Sequence, residues 1–188
     1  MGVRFLRPDE STNPSGHRAL GVALVLLMGA AGAYADALPV RKPGLWEVTL
    51  RSGTQSVMRQ QQVQQCTDRA TDQVSLMSIV PGQEHCHQIR VKKTRNGLEV
   101  NTTCWVHDNR VEAQIRLLGD FQKAYEGQFE VKYSKPVRFN PGLTHFTARW
   151  LGECKPGQRP ADMVLPNGVT VNVVDDLKAH QVHDGHAH

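Results

Sequence analysis

The sequence predicts a mainly β fold: an antiparallel meander of about seven to eight strands forming a small lipocalin-like barrel or half-barrel, with one short helix between Cys66 and Cys86. Three observations carry this reading. Apolar and polar residues alternate with a period of two from residue 44 to about residue 152, the pattern of a sheet with one dry face. Asn96-Gly97 is the strongest two-residue hairpin signal a sequence can hold. The breaks between runs are short, which favours sequential neighbours over the Greek-key crossings of a sandwich.

The strands follow in order. Trp46, Val48 and Leu50 alternate with Glu47, Thr49 and Arg51. The run Val57 to Gln65 alternates weakly because glutamines fill it. Ala70, Val74 and Met77, with Leu76 and Val80, then recur at helical spacing, with Thr67 or Asp68 placed to cap the start and Pro81-Gly82 to end it. Ile89 and Val91 precede the Asn96-Gly97 turn, and Leu98, Val100 and Cys104 carry the return strand. After His107-Asp108-Asn109 come Val111, Ala113, Ile115 and Leu117, and after Gly119-Asp120 come Tyr125, Phe129, Val131 and Tyr133. Pro136, Pro141 and Gly142 break the chain before Phe146, Ala148 and Trp150. Val164-Leu165 and Val169 to Val174, joined by Pro166-Asn167-Gly168, suit a hairpin covering an edge strand.

The first 35 residues read as an address. Arg4, Arg7 and Arg18 precede the uncharged run Ala19 to Ala33, too short to span a bilayer as a helix, and Ala33-Tyr34-Ala35 is a small-x-small cleavage site. This is a signal peptide cut after Ala35, with an uncleaved anchor as the alternative. The expected divisions are 1–35 signal peptide, 36–160 antiparallel β domain, 161–179 hairpin-like extension and 180–188 disordered His-rich tail. No membrane span remains after cleavage, and the protein is expected in the periplasm, or secreted. The chain of 188 residues is 39% hydrophobic and 21% charged, which excludes wholesale disorder, collagen and coiled-coil repeats. A net charge of +4 is too small and too scattered to indicate nucleic acid.

Export implies oxidised thiols, so Cys66, Cys86, Cys104 and Cys154 form two disulfides. Strand parity selects among three connectivities. Cys66 lies in line with Gln60, Gln62 and Gln64, and Cys86 with Gln88, Arg90 and Lys92, on the wet face. Cys104 lies in line with Leu98 and Val100, and Cys154 with Phe146, Ala148 and Trp150, on the dry face. Side chains on opposite faces point apart, so the expected pairs are Cys66–Cys86 and Cys104–Cys154.

From Arg41-Lys42-Pro43-Gly44-Leu45-Trp46-Glu47-Val48 the chain resembles an exported proteobacterial domain-of-unknown-function family with a (K/R)PGLWEV-type first strand and four spaced cysteines. Gln65-Cys66-Thr67, Gly119-Asp120-Phe121, Trp150-Leu151-Gly152-Glu153-Cys154 and the stretch Ala161 to Gly168 add to the resemblance, which covers roughly Arg41 to Leu177. It implies a periplasmic β-rich domain and assigns no reaction. The glutamine run Gln60 to Gln65 and the His-rich end depart from the family pattern.

Candidate chemistry is sparse. His180, His183, His186 and His188, with Asp184 among them, form a tail that suits Zn, Cu or Ni, or else a solvated terminus. His85-Cys86-His87 resembles a ligand cluster, but a disulfide removes its sulfur. His107 and His145 are isolated. GxSxG, HExxH and SxxK are absent, and Asp120, Glu126 and Glu130 are dispersed. Lys92, Lys93 and Arg95 form a basic patch that suits anionic headgroups or envelope polymers, or simply the wet face of a hairpin. Asn101-Thr102-Thr103 is a glycosylation sequon in form. The expected function is a non-catalytic binding module for a small apolar ligand in a barrel mouth or for an envelope protein. The alternatives are metal handling by the histidine tail and a hydrolase without a recognisable motif. Trp46, Tyr125, Phe129, Tyr133, Phe146 and Trp150 share the dry face, and that many rings favour a filled interior.

Overall fold

Among the described residues the alternating runs form nine strands of one antiparallel sheet, accompanied by two short helices. The structure, a computed structural model, describes residues 37–53, 60–81, 83, 86–106, 108–138 and 140–184, excluding the side chains of residues 87 and 180–184. The signal-peptide reading, with its cut after Ala35, lies outside the described residues, as do His85, His107, His186 and His188.

In chain order the elements are β1 (Gly44–Ser52), β2 (Gln60–Thr67), α1 (Asp72–Met77), β3 (Cys86–Thr94), β4 (Gly97–Val106), β5 (Asn109–Gly119), β6 (Ala124–Tyr133), β7 (Thr144–Gly152), β8 (Asp162–Val164), β9 (Thr170–Asn172) and α2 (Val173–Asp184). The strand order across the sheet is β3-β4-β5-β6-β7-β1-β2-β8-β9, and among the described residues the sheet does not close. The mainly β meander is borne out, in its open form. One connection departs from sequential neighbours. β1 pairs with β7, so β2 and β3, adjacent in sequence, lie on opposite sides of the meander, and α1 falls in the connection between them.

The dry face is the core. Trp46, Val48, Val100, Ile115, Leu117, Phe129, Val131 and Phe146 are buried there, joined by Leu76 and Met77 of α1 and by Ile79 and Val80 just beyond it. The Phe146 ring packs over Gly127, where a Cβ would lie 2.6 Å from Phe146 Cζ and run into the Arg116 carbonyl. α1 is shorter and later than the spacing suggests. Ala70 is exposed, outside the helix. Asp68 Oδ1 accepts the backbone N–H of Ala70 and Thr71 at 3.0 and 2.9 Å, shaping the turn that leads into the helix. The hairpin signal is also displaced by one residue. Thr94 pairs with Gly97, so Arg95 and Asn96 form the turn, and Gly97 enters β4 at φ 139°.

The disulfides overturn the expected pairs. Cys66 bonds Cys154 with Cα atoms 5.4 Å apart, and Cys86 bonds Cys104 with Cα atoms 4.3 Å apart. Parity held for Cys66, opposite Leu45, and for Cys104, beside Val100 on the dry face. It failed for the other two. A bulge at His87 inserts a residue into β3, so Cys86 opposes Cys104 and is turned to its face. Cys154 lies beyond the end of β7 at Gly152, whose φ of 133° redirects the chain, so the alternation does not reach it.

The C-terminal stretch read as a disordered tail is helical as far as Asp184. β8 pairs with β2, and β9 with β8, which extends the sheet beyond β2.

Candidate functional site

Three places combine polar chemistry with defined geometry: a buried charge network, the polar face of the sheet, and the edge strand β3.

The network begins in the segment before β1. Arg41, only 1% exposed, donates its backbone N–H to Asp72 Oδ2 at 2.8 Å and its Nε–H to Asp72 Oδ1 at 2.7 Å. Its Nη1 donates to Gln65 Oε1 at 2.9 Å and to the Tyr125 hydroxyl at 3.1 Å. Gln65 passes the network on, donating to the Ser75 carbonyl at 2.6 Å. The guanidinium also lies 5.7 Å from the Trp46 ring and 5.9 Å from the Tyr125 ring. Burial pushes the Tyr125 hydroxyl above its ordinary value of 10.0, against the opposing charge of Arg41. Every member is buried, so the cluster locks the N-terminal segment, β2, β6 and α1 together and offers no entry to substrate.

The (K/R)PGLWEV stretch is explained by the same packing. Trp46 is fully buried and donates its indole N–H to the Lys42 carbonyl at 2.8 Å. Gly44 sits at φ 127°, where a Cβ would meet the Gly152 carbonyl and lie 2.7 Å from Trp150 Nε1. The motif therefore reads as architecture.

The polar face is ordered in rows set by strand register. Gln88, Thr103, Glu112 and Lys132 form one row, and Arg90, Asn101, Gln114 and Glu130 the next. A trough of about 430 Å³ runs between them. A third row holds Lys92, Glu99, Arg116, Gln128, His145 and Arg51. Glu99 Oε1 accepts from Asn101 Nδ2 at 3.2 Å and from Gln114 Nε2 at 3.3 Å. The Asn101 bond foremost, then Gln114 and the charges of Arg116 and Lys92, outweigh desolvation and hold the Glu99 carboxyl below its usual range. Further along, Glu47, Thr49, Leu118, Glu126, Thr147 and Arg149 line a second depression of about 470 Å³, across which Arg149 Nε donates to Glu47 Oε1 at 2.7 Å.

The sequence-predicted residues distribute as follows. Lys92 and Lys93 lie on opposite faces of β3, opposite Glu99 and Leu98, and Arg95 is in the turn. Asn101 is on the polar face, whereas Thr102 is buried on the dry face, its Oγ1 without a hydrogen-bond partner among the described residues. Asp120 is a turn residue: its Oδ1 accepts the N–H of Lys123 and Gln122, both at 2.9 Å, which lowers its pKa. Glu126 and Glu130 are exposed, and neither shares a row with Asp120. His145 is exposed on the third row. Of the interior rings, Trp46, Tyr125, Phe129 and Phe146 are buried, and Tyr133 and Trp150 are half-buried. The histidine set assigned to metal lies at the end of α2 and beyond, where side chains are not described. Among the described residues no cluster of three His, Cys, Asp or Glu side chains is arranged to hold a metal. No helix of the described residues is long and apolar enough to cross a membrane.

Sequence reasoning missed the Arg41–Asp72 pair. Its signal was present: a charged residue directly before the strongest core anchor, and an acid inside a run of core spacing.

No curated protein and no solved structure matches the chain. Residues 41–154, from the buried Arg41 to the second cysteine of the outer disulfide, match a family described only as proteins of unknown function (DUF3617), and the chain belongs to that family.

Proposed function

We propose that this protein is an exported, non-catalytic binding module of the periplasm, cut after Ala35, that engages an envelope protein through the edge strand β3 of its sheet. One observation carries the reading: β3 is nine residues long, ends the sheet among the described residues, and is exposed from Gln88 to Thr94 apart from the half-buried Val91. An edge strand can take up an extended segment through its main chain, and side chains on alternate sides then select it. Ile89, 43% exposed on the dry face, gives such a segment an apolar contact. Arg90, Lys92 and Arg95 favour an acidic one. At the other end of the sheet, β9 has three residues. A filled core supports a surface partner over an apolar molecule inside: the Trp46, Tyr125 and Phe146 rings pack on one another at centroid distances of 5.4 and 6.2 Å. Two disulfides fit an oxidising compartment.

The test is site-specific photocrosslinking in the periplasm of the native host. A photoreactive residue at position 90 should trap one defined protein, and Lys92→Glu with Arg95→Glu should abolish the product. Equal trapping from position 128, in the middle of the polar face, would defeat the edge reading.

A further inference from the structure

We infer that the trough across β3 to β6 is a binding site for an uncharged glycan chain, with Trp105 as its stacking platform. This inference is independent of the strand-edge reading. The lining is rich in groups that both give and accept hydrogen bonds: Gln88, Asn101, Gln114 and Thr103. Sugar hydroxyls have the same dual character, so each amide meets a vicinal hydroxyl pair without leaving a donor or acceptor unsatisfied. Two of these amides are held in advance. Asn101 and Gln114 each commit one N–H to the same oxygen of Glu99, which fixes their planes and leaves the second N–H and the carbonyl oxygen of each for a ligand. They stand opposite each other on the paired strands β4 and β5, so little ordering remains to be done on binding.

The platform is the second, independent observation. Trp105 is 55% exposed on the polar face. It is the next same-face residue after Thr103 on β4 and is opposite Arg110 on β5, and Thr103 and Arg110 both line the trough. Same-face neighbours on a strand are about 6.8 Å apart, close to the span of a pyranose ring. A flat indole beyond Thr103 stacks on the C–H face of one sugar, while Thr103 and, two positions further along β4 and β5, the Asn101 and Gln114 amides take hydroxyls of the sugars that follow.

The charges disfavour other ligands. Arg90, Arg110 and Lys132 are interleaved with Glu112 and Glu130, and Arg110 is already paired with Glu112 at 2.6 Å. Mixed signs in one trough give no sustained attraction to a polyanion or a polycation. A volume of about 430 Å³ suits a short stretch of chain.

The experiment uses the disulfide-bonded protein, with chitotetraose and cellotetraose as probes, read by tryptophan fluorescence and by amide NMR shifts. At least one probe should bind with a Kd of about 0.1–1 mM, and shifts should concentrate at residues 88–90, 101–105 and 110–114. Trp105→Ala should weaken binding by about tenfold or more, Trp105→Phe should retain most of it, and Gln114→Ala should weaken it by several-fold. Thr147→Ala, elsewhere on the same face, should change nothing. Unchanged circular dichroism of each variant keeps the reading independent of folding. The proposal is overturned if neither saccharide binds at about 10 mM, if Trp105→Ala leaves affinity intact, or if a heparin fragment or polyglutamate binds at residues 101–105 and 110–114, away from the β3 edge, more tightly.

Discussion

Arg41 shows how much one residue can hold. A guanidinium with 1% exposure is tolerated because the Asp72 carboxylate, Gln65 and Tyr125 together accept from Nε and Nη1. Removing either charge strands the other in the core. Arg41→Met should therefore lower stability by about 3–5 kcal/mol, and Asp72→Asn by a similar amount. The double variant Arg41→Met/Asp72→Asn should cost clearly less than the sum, because it leaves no orphaned charge. Urea unfolding of the four proteins measures this, and simple additivity would show that the pair is not coupled. Tyr125→Phe tests the periphery of the network, since it removes one acceptor and keeps the ring against Trp46 and Phe146.

Elements depart from their sequence pattern where a single residue breaks the repeat. The alternation runs without interruption in β4, β5 and β6, and in β7 as far as Trp150, and there sequence and structure agree side chain by side chain. β3 carries a bulge at His87, and no periodic signal announces it, so the parity of Cys86 inverted. The resulting bridges differ in reach. Cys66–Cys154 closes 88 residues and Cys86–Cys104 closes 18. In the chain-entropy account the first contributes about 4–5 kcal/mol and the second about 3 kcal/mol. The short loop lies inside the long one, so removing both should cost less than the sum. Paired serine variants unfolded in urea test the ranking, and non-reducing peptide mapping tests the pairing itself.

The hairpin β8–β9 has its own anchor. Asp162 accepts the Arg159 N–H at 2.7 Å and Asn172 Nδ2 at 2.8 Å. Burial pushes its carboxyl up, but these bonds and the Arg159 charge outweigh it and bring the pKa below 3.8. A lowered folded-state pKa stabilises above the unfolded value and is lost as pH falls through the folded one. The wild-type unfolding midpoint should therefore drop more steeply below about pH 4 than that of Asp162→Asn. Parallel curves for the two proteins would remove Asp162 as the acid-sensitive anchor.

Across the whole molecule, stability should be graded by position in the sheet. β5, β6, β7 and β1 each have neighbours on both sides and bury the large rings, whereas β3 and β9 end the sheet. Hydrogen exchange should be slowest in those central strands and fastest in β9 and the outer half of β3, despite the disulfide at the first residue of β3. Exchange in β3 as slow as in β6 would mean that its edge is covered in solution.

Local order, face and length were legible in the sequence because side-chain alternation and turn chemistry act over neighbours. The dry face of β4 to β7, the helical segment after Cys66 and the core position of Trp46 were all within reach of that information. Strand order, disulfide partners and the burial of Arg41 were decided only by the tertiary structure. Each depends on groups distant in sequence: β1 meets β7 across about 100 residues, and Asp72 meets Arg41 across 31. The polar rows and the trough between them are likewise products of register, since no single strand contains more than a quarter of either row.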